Sequence, residues 1–144
     1  MADILESVSD LLTNNWTASN TGNRTPEIKP VFEAKRSDLG FSDKDIIVLY
    51  EESNIPQDIA IGGSNKRRVN IVVVDIRTMK TRAQAVLIWK EVERIIVANE
   101  KNDPFGDATA DILDITDIKD LSDKTNKLWR FVLKLRIEKF IEVF

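Results

Sequence analysis

The chain closes on Lys127-Leu128-Trp129-Arg130-Phe131-Val132-Leu133-Lys134-Leu135-Arg136-Ile137-Glu138-Lys139-Phe140-Ile141-Glu142-Val143-Phe144, and the reading of this stretch decides the fold. Trp129, Phe131, Leu133, Leu135 and Ile137 alternate with Arg130, Val132, Lys134, Arg136 and Glu138. A period of two places the first set on one face of a strand and the second on the other. Beyond Ile137 the phase slips. Lys139 falls on the apolar register, Phe140 on the polar one, and Ile141 and Val143 return to the first. A bulge or a second buried face accounts for such a slip. The run spans roughly 60 Å at ~3.3 Å per residue, far longer than a usual strand. Part of it, residues 138–144, is therefore expected to project from the body.

Working outward, the residues before it supply a partner. Residues 111–123 carry an echo of three, Asp-Ile-Leu, Asp-Ile-Thr, Asp-Ile-Lys, Asp-Leu-Ser, Asp. A strand around residues 112–118, a turn at Leu121-Ser122-Asp123-Lys124 and the closing strand make a long C-terminal hairpin. Charge divides across it. Residues 100–123 hold eight carboxylates and two lysines, net −6, and residues 124–144 hold six basic residues and two glutamates, net +4. Opposite charges on adjacent antiparallel strands help fix their pairing. The same division makes a contact between the acidic patch of one copy and the basic patch of the next conceivable.

Thr81-Arg82-Ala83-Gln84 has the capping-box pattern, in which Thr81 accepts from the Gln84 amide and Gln84 reaches back. The helix it opens runs to about Asn99. Ala85, Ile88, Val92, Ile95 and Ile96 form its stripe, widened by Trp89, with Lys90, Glu91, Glu93 and Arg94 largely on the other side. Residues 67–78 precede it, with Val69, Ile71 and Val73 on one face and Val72, Val74 and Ile76 on the other. The β-branched content predicts a strand buried on both sides over its middle. Ile46-Ile47-Val48-Leu49-Tyr50 reads as a central strand covered on both faces. Residues 52–66, with Pro56, Gly62 and Gly63, read as a long loop. Residues 27–34 read as a strand that Pro30 confines to an edge or to partial pairing. Residues 3–14, with Ile4, Leu5, Val8, Leu11 and Leu12 on one face, read as a helix, and Trp16 is expected to close over the same core.

The element order is helix, two or three strands, helix, two strands, without a βαβ rhythm. It predicts one α+β domain over residues 1–144: a mainly antiparallel sheet with two helices packed on one face and a long C-terminal hairpin. A chain of 144 residues with 42% hydrophobic and 31% charged content can bury a real core beneath a solvated surface. Its net charge of −3 names neither nucleic acid nor an anionic membrane as main partner. The acidic start Met1-Ala2-Asp3-Ile4-Leu5-Glu6 does not read as a signal peptide, and no run approaches the ~18 apolar residues of a membrane span.

The chain has no Cys and no His. That removes disulfides, thiolate metal sites, Ser-His-Asp triads and the common zinc sites. Carboxylate, Lys, Tyr or Mg²⁺ chemistry stays open on composition alone. The Asp103 to Asp123 series lacks EF-hand spacing and reads more simply as a solvated acidic face than as a metal site. Gly62-Gly63-Ser64-Asn65-Lys66-Arg67-Arg68 leads into a strand, whereas a phosphate-cradling P-loop leads into a helix. Lys66, Arg67 and Arg68, with Arg77, Lys80 and Arg82, lie at the two ends of one strand and read as solvated ends or salt-bridge partners. Asp75, Glu33 and Lys35 are the nearest approach to a carboxylate–lysine catalytic set, and their spacing is too loose to define one. Tyr50, inside a buried strand, is not a catalytic candidate.

Four stretches together carry a likeness to known proteins. They are Ile4-Leu5-Glu6-Ser7-Val8-Ser9-Asp10-Leu11-Leu12, Asp45-Ile46-Ile47-Val48-Leu49-Tyr50-Glu51, Val73-Val74-Asp75-Ile76-Arg77-Thr78 running into the Thr81-capped helix, and Asp120-Leu121-Ser122-Asp123-Lys124 leading to Trp129-Arg130-Phe131. In element order the chain resembles the tail-completion or tail-terminator proteins of tailed bacterial and archaeal viruses. The resemblance implies a small α+β subunit that forms a ring, commonly of six, at the head-proximal end of the tail tube. Such a ring ends tube growth and joins the tail to the neck. It implies no catalytic residues, no metal and no cofactor. The partners would be copies of the same chain, the tail-tube protein and a neck or connector protein, with DNA only in passage and no membrane. The location would be the virion, and the host cytoplasm during assembly. The 52–66 loop and the long closing strand depart from the pattern and leave open a neighbouring neck or connector subunit. A non-viral adaptor binding partners through an exposed sheet edge, and a small metal-dependent enzyme, are the other readings.

In the ring reading, Ile55, Ile59, Ile61, Arg67, Arg68, Lys139, Phe140, Ile141, Val143 and Phe144 are expected at subunit interfaces. Asp111, Asp114, Asp117, Asp120 and Asp123 are expected to face the lumen, where negative charge would keep DNA from sticking.

Overall fold

The computed structural model describes residues 4–31, 45–58, 65–100, 104–106, 110–125 and 127–142. In chain order these form helix α1 (Ile4–Asn15), a short 3-10 turn (Ala18–Thr21), strands β1 (Glu27–Val31), β2 (Ile46–Asp58) and β3 (Asn65–Thr78), helix α2 (Arg82–Ala98), and strands β4 (Ile112–Asp120) and β5 (Trp129–Glu142). The five strands make one sheet in the order β1-β2-β3-β5-β4. Every neighbouring pair is antiparallel except β1 and β2, which run parallel. This is an α+β fold with a mainly antiparallel sheet and a C-terminal β4–β5 hairpin. No helix among the described residues is long and apolar enough to cross a membrane.

The alternation in the closing stretch sets the layers. Phe131, Leu133, Leu135 and Ile137 lie in the main core together with Val72, Val74 and Ile76 of β3 and Ile47 and Leu49 of β2. Against this face pack Leu5, Val8, Leu11 and Leu12 of α1 and Ala85, Ile88, Val92, Ile95 and Ile96 of α2, so both helices share one side of the sheet. The stripe read for α2 is the buried face, and Trp16 and Trp89 pack partly buried against the same core. The opposite face carries a smaller buried cluster of Ile46, Val48, Tyr50, Val73 and Val132. β2 over residues 46–50 and β3 over residues 72–76 are thus buried on both sides, as their continuous apolar runs require.

Three expectations change. Residues 52–66 are not one loop: β2 continues to Asp58 and β3 begins at Asn65, and the two pair down to Asp58↔Lys66. Ile55 therefore sits in a ladder opposite Val69, while residues 59–64 lie outside the described residues. Pro56 is tolerated because β1 stops pairing at Val31↔Tyr50, so that part of β2 has no ladder on its other side among the described residues. Second, the slip beyond Ile137 is not a bulge in β5, whose register with β3 is unbroken from Thr78↔Trp129 to Asn65↔Glu142. Lys139 falls in the helix-side row where that row leaves the core, and its partner Arg68 is exposed. Third, residues 138–142 do not leave the body as a free segment, because they pair with β3 of the same chain. Val143 and Phe144 lie outside the described residues.

A fully buried side chain in the central ladder should dominate stability. Leu133→Ala is expected to cost about 3 kcal/mol through lost contacts and a cavity. The exposed Leu87→Ala change should stay within about 0.5 kcal/mol. Urea unfolding of the two variants beside the parent checks the contrast.

Candidate functional site

On the face away from the helices, apolar residues give way to charge in a defined order. Ile46, Val48 and Tyr50 of β2 face Arg77, Asp75 and Val73 of β3 across the ladder. Arg77 in turn lies directly opposite Arg130 of β5. Two like charges at opposed positions repel, and Asp75 removes the conflict. Its carboxylate is fully buried and accepts from both guanidinium groups. Arg130 donates through Nε and Nη2 at 2.9 and 2.8 Å, and Arg77 through the same atoms at 3.4 and 3.1 Å. Donating to the Asp75 carboxylate raises the Arg130 pKa above its ordinary value against the opposing effect of burial.

Further along the same face a bulge between Glu51 and Ser53 inserts Glu52 into β2. Glu52 meets Lys134 of β5 in an ion pair of 3.0 Å. Around this pair lies an open cleft of about 430 Å³, floored by Tyr50 and Val132 and bounded by Lys119 and Leu121. Among the described residues, no group of three His, Cys, Asp or Glu side chains is placed to hold a metal.

Two further buried carboxylates hold the segment between α1 and β1 to the helix layer. Glu91 accepts the Thr17 backbone N–H at 2.7 Å, the Asn20 amide at 3.0 Å and the Arg94 Nε at 2.7 Å. The Arg94 hydrogen bond leads, burial opposes it, and with Thr17 and Asn20 the balance holds the Glu91 carboxyl down at about 2. Asp45 accepts from Arg24 Nη2 at 2.9 Å, Thr78 Oγ1 at 2.6 Å and Gln84 Nε2 at 2.9 Å. Burial pushes Asp45 up, but those three hydrogen bonds and the Arg24 charge together bring it below its ordinary value. Both groups are held as anions, with no tuning toward proton transfer near neutral pH.

The capping box is half right. Thr81 Oγ1 accepts from the Gln84 N–H at 3.0 Å, but the Gln84 side chain donates to Thr21 O and to Asp45 rather than back to the cap. Glu91, placed by periodicity on the solvent side, is buried under the 3-10 turn. The helix itself signals only the Arg94 partner three residues on; the donors that go with its burial, Thr17 N–H and the Asn20 amide, come from a distant segment.

The aspartates expected in one row are divided by the sheet. Asp114 and Asp117 pair with Arg136 and Lys134 on the outer face, on either side of a bulge in β4. Asp120 pairs with Phe131 on the helix side and reaches Arg82 at 3.6 Å. Asp111 lies before the strand, 3.7 Å from Lys139, and Asp123 forms an isolated bridge with Leu128 in the turn. The bulge brings Asp114 and Asp117 onto one face despite their odd spacing, whereas Asp120, three residues further with no bulge between, falls on the other, so the aspartates of β4 do not form one row. Opposed charges do mark the β4–β5 register, as the division of charge predicts.

Of the residues expected at interfaces, Arg68 is exposed on β3 and Lys139 is half-buried on β5. Ile55, Arg67, Phe140 and Ile141 lie within strands, with side chains outside the described ones, and Ile59, Ile61, Val143 and Phe144 lie outside the described residues. The exposed apolar residues Leu87, Val97, Ile118 and Leu121 were not anticipated. Leu87 and Val97 fall off the apolar stripe of α2, and that departure is the signal that sequence periodicity offered.

Comparison with protein-family models finds no match to this sequence, and comparison with characterised proteins finds none.

Two consequences are measurable. Asp75→Asn should cost about 3 kcal/mol by leaving Arg77 and Arg130 opposed without an anion. Arg77→Leu should cost less, since Arg130 keeps its two-pronged bond; chemical unfolding ranks the pair. Glu91 has a folded pKa of about 2 against an ordinary 4.5, so its stabilisation is complete above 4.5 and is lost as pH falls through 2. Glu91→Gln should flatten the fall of unfolding free energy over that interval in a pH series of urea titrations.

Proposed function

We propose that this chain is a structural subunit of a viral tail. Copies of it assemble into a ring, six in the family it resembles, that ends the tail tube at its head-proximal end and joins it to the neck. The supporting observation is a three-stranded extension of the sheet. Residues 53–58 of β2, 65–70 of β3 and 138–142 of β5 continue as paired strands past Leu49, Val72 and Ile137, the outermost main-core members on each strand among the described side chains.

Both flanks of this extension lack a strand partner among the described residues. β1 stops pairing at Val31↔Tyr50 and β4 at Ile112↔Glu138. Unpaired backbone along a strand is a template for another chain. The outermost strands of the sheet carry features that discourage such pairing: Pro30 in the short β1, and a bulge with several aspartates in β4. The extension is therefore the favoured place for contact with the tail-tube protein or a neck and connector protein. DNA would meet the assembly only in passage, and the virion would be its location. No catalytic step, metal or cofactor belongs to this reading.

The same unpaired flanks support a second reading, an adaptor that binds an extended peptide at a sheet edge. Purified protein mixed with tail-tube protein and viewed by negative-stain electron microscopy separates them. Rings, and tubes of uniform length capped by a ring, are the expected result. A protein that stays monomeric at every concentration and leaves tubes uncapped overturns the ring.

A further inference from the structure

The β3–β5 ladder sets two basic pairs directly opposite one another, Arg77↔Arg130 and Arg68↔Lys139. Opposed like charges repel, and the chain treats the two pairs differently. At the first, Asp75 stands two residues from Arg77 on the same face, is fully buried, and accepts from both guanidinium groups. At the second, the equivalent position beside Arg68 is Asn70, whose amide donates to Glu51 at 2.7 Å. Lys139 reaches Asp111 at 3.7 Å, and Arg68 forms no ion pair with any described residue. By strand alternation both side chains stand on the helix side, in the three-stranded extension, past Val72 and Ile137. Arg68 is exposed there and Lys139 half-buried.

We propose that Arg68 and Lys139 receive an acidic side chain of the partner polypeptide that meets the strand extension. This rests on the ring reading and names the chemistry of its partner. One carboxylate between the two cations does for this pair what Asp75 does for Arg77 and Arg130, and the Arg68 guanidinium can take it by two parallel bonds. The occupant is a polypeptide because the pair lies beside unpaired strand. Among the described residues β4 ends its pairing at Ile112↔Glu138, one residue before Lys139. An extended segment entering there would bond along β5 and carry its own side chains past Lys139 on the same face. A nucleic-acid backbone is held by a stripe of Lys and Arg. Here Asp111 flanks Lys139 and Glu51 bonds the neighbouring Asn70, so negative charge interrupts such a stripe. Unpaired backbone accepts many sequences, and the two cations add a selection for acidic ones.

Purified protein is mixed with tail-tube protein, and separately with neck and connector protein, and treated with a water-soluble carbodiimide, which joins a lysine amine to a touching carboxylate as an amide. Alone, the protein should link Lys139 to Asp111. With its partner, the expected product is an amide from Lys139 to an Asp or Glu of that partner, located by mass spectrometry. Lys139→Arg should keep binding and lose the link. Arg68→Glu should weaken co-sedimentation with the partner by about tenfold at low salt, whereas Lys90→Glu, the same charge change on exposed α2, should stay within about twofold. The melting temperature of Arg68→Glu is measured first and should not fall, because a Glu opposite Lys139 removes a repulsion. If Arg68→Glu binds as well as the parent and Lys139 does not link to the partner, this contact is overturned while capped tubes leave the ring reading standing. Loss of the rings themselves in Arg68→Glu, with Lys139 linked to another copy, would make a second copy the occupant and overturn the proposal. Binding of a DNA duplex that Arg68→Glu abolishes, with no link to a partner carboxylate, would make the occupant a phosphate and overturn it as well. Protein that forms no rings and binds neither partner defeats the ring reading and this inference with it.

Discussion

The ladder between β3 and β5 is the constraint on which the rest of the structure depends. It runs without interruption from Thr78↔Trp129 to Asn65↔Glu142. On the helix side it sets Val72 against Leu135, Val74 against Leu133 and Ile76 against Phe131. On the other side it sets Asp75 against Val132 and Arg77 against Arg130. A slip of one residue would turn every side chain of β5 to the opposite face. Arg130, Lys134 and Arg136 would then enter the core beneath α2. The register is therefore fixed twice, by apolar burial on one side and by the Asp75 ion cluster on the other. β2 and β4 attach to the outer edges of this pair, each adjusted by one bulge.

Buried charge is used here to join segments far apart in sequence. Asp75 ties β3 to β5, Asp45 ties the start of β2 to Arg24 before β1, to β3 and to α2, and Glu91 ties α2 to the start of the 3-10 turn. Such groups add little net stability over apolar residues of the same shape, because removing a charge from water costs about as much as its partners return. What they add is geometry. Each carboxylate accepts from two or more donors that come together only in this arrangement. The hydrophobic layers hold the helices to the sheet, and the carboxylates fix how the connection between α1 and β1 crosses them.

The long strands have a cost that bears on function. Among the described side chains, none beyond Leu49 of β2, Val72 of β3 and Ile137 of β5 belongs to the main core, yet the strands stay paired there. Among the described residues, neither flank of these extended strands has a strand partner beyond Val31↔Tyr50 and Ile112↔Glu138.

The sequence by itself determined the class of fold. The period of two in residues 129–137 placed β5 and its core face, the stripe of Ala85, Ile88, Val92, Ile95 and Ile96 placed α2, and the continuous runs at residues 46–50 and 72–76 marked strands buried on both sides. Opposed charge indicated the β4–β5 hairpin. These are local signals, carried by side-chain spacing within one element. Tertiary structure alone decided the parallel pairing of β1 with β2, since no local pattern records which strand a short edge strand joins. It decided that residues 52–58 form strand, because Pro56 is tolerated only where the neighbouring ladder has ended. It buried Glu91 on what reads as a polar helix face, because two of its donors, Thr17 and Asn20, come from a segment more than seventy residues away. It also brought Asp114 and Asp117 onto one face of β4, because a bulge between them offsets the alternation that leaves Asp120 on the other. Spacing within an element is written in the sequence, whereas which elements meet, and which polar groups find partners there, exists only once the chain has closed.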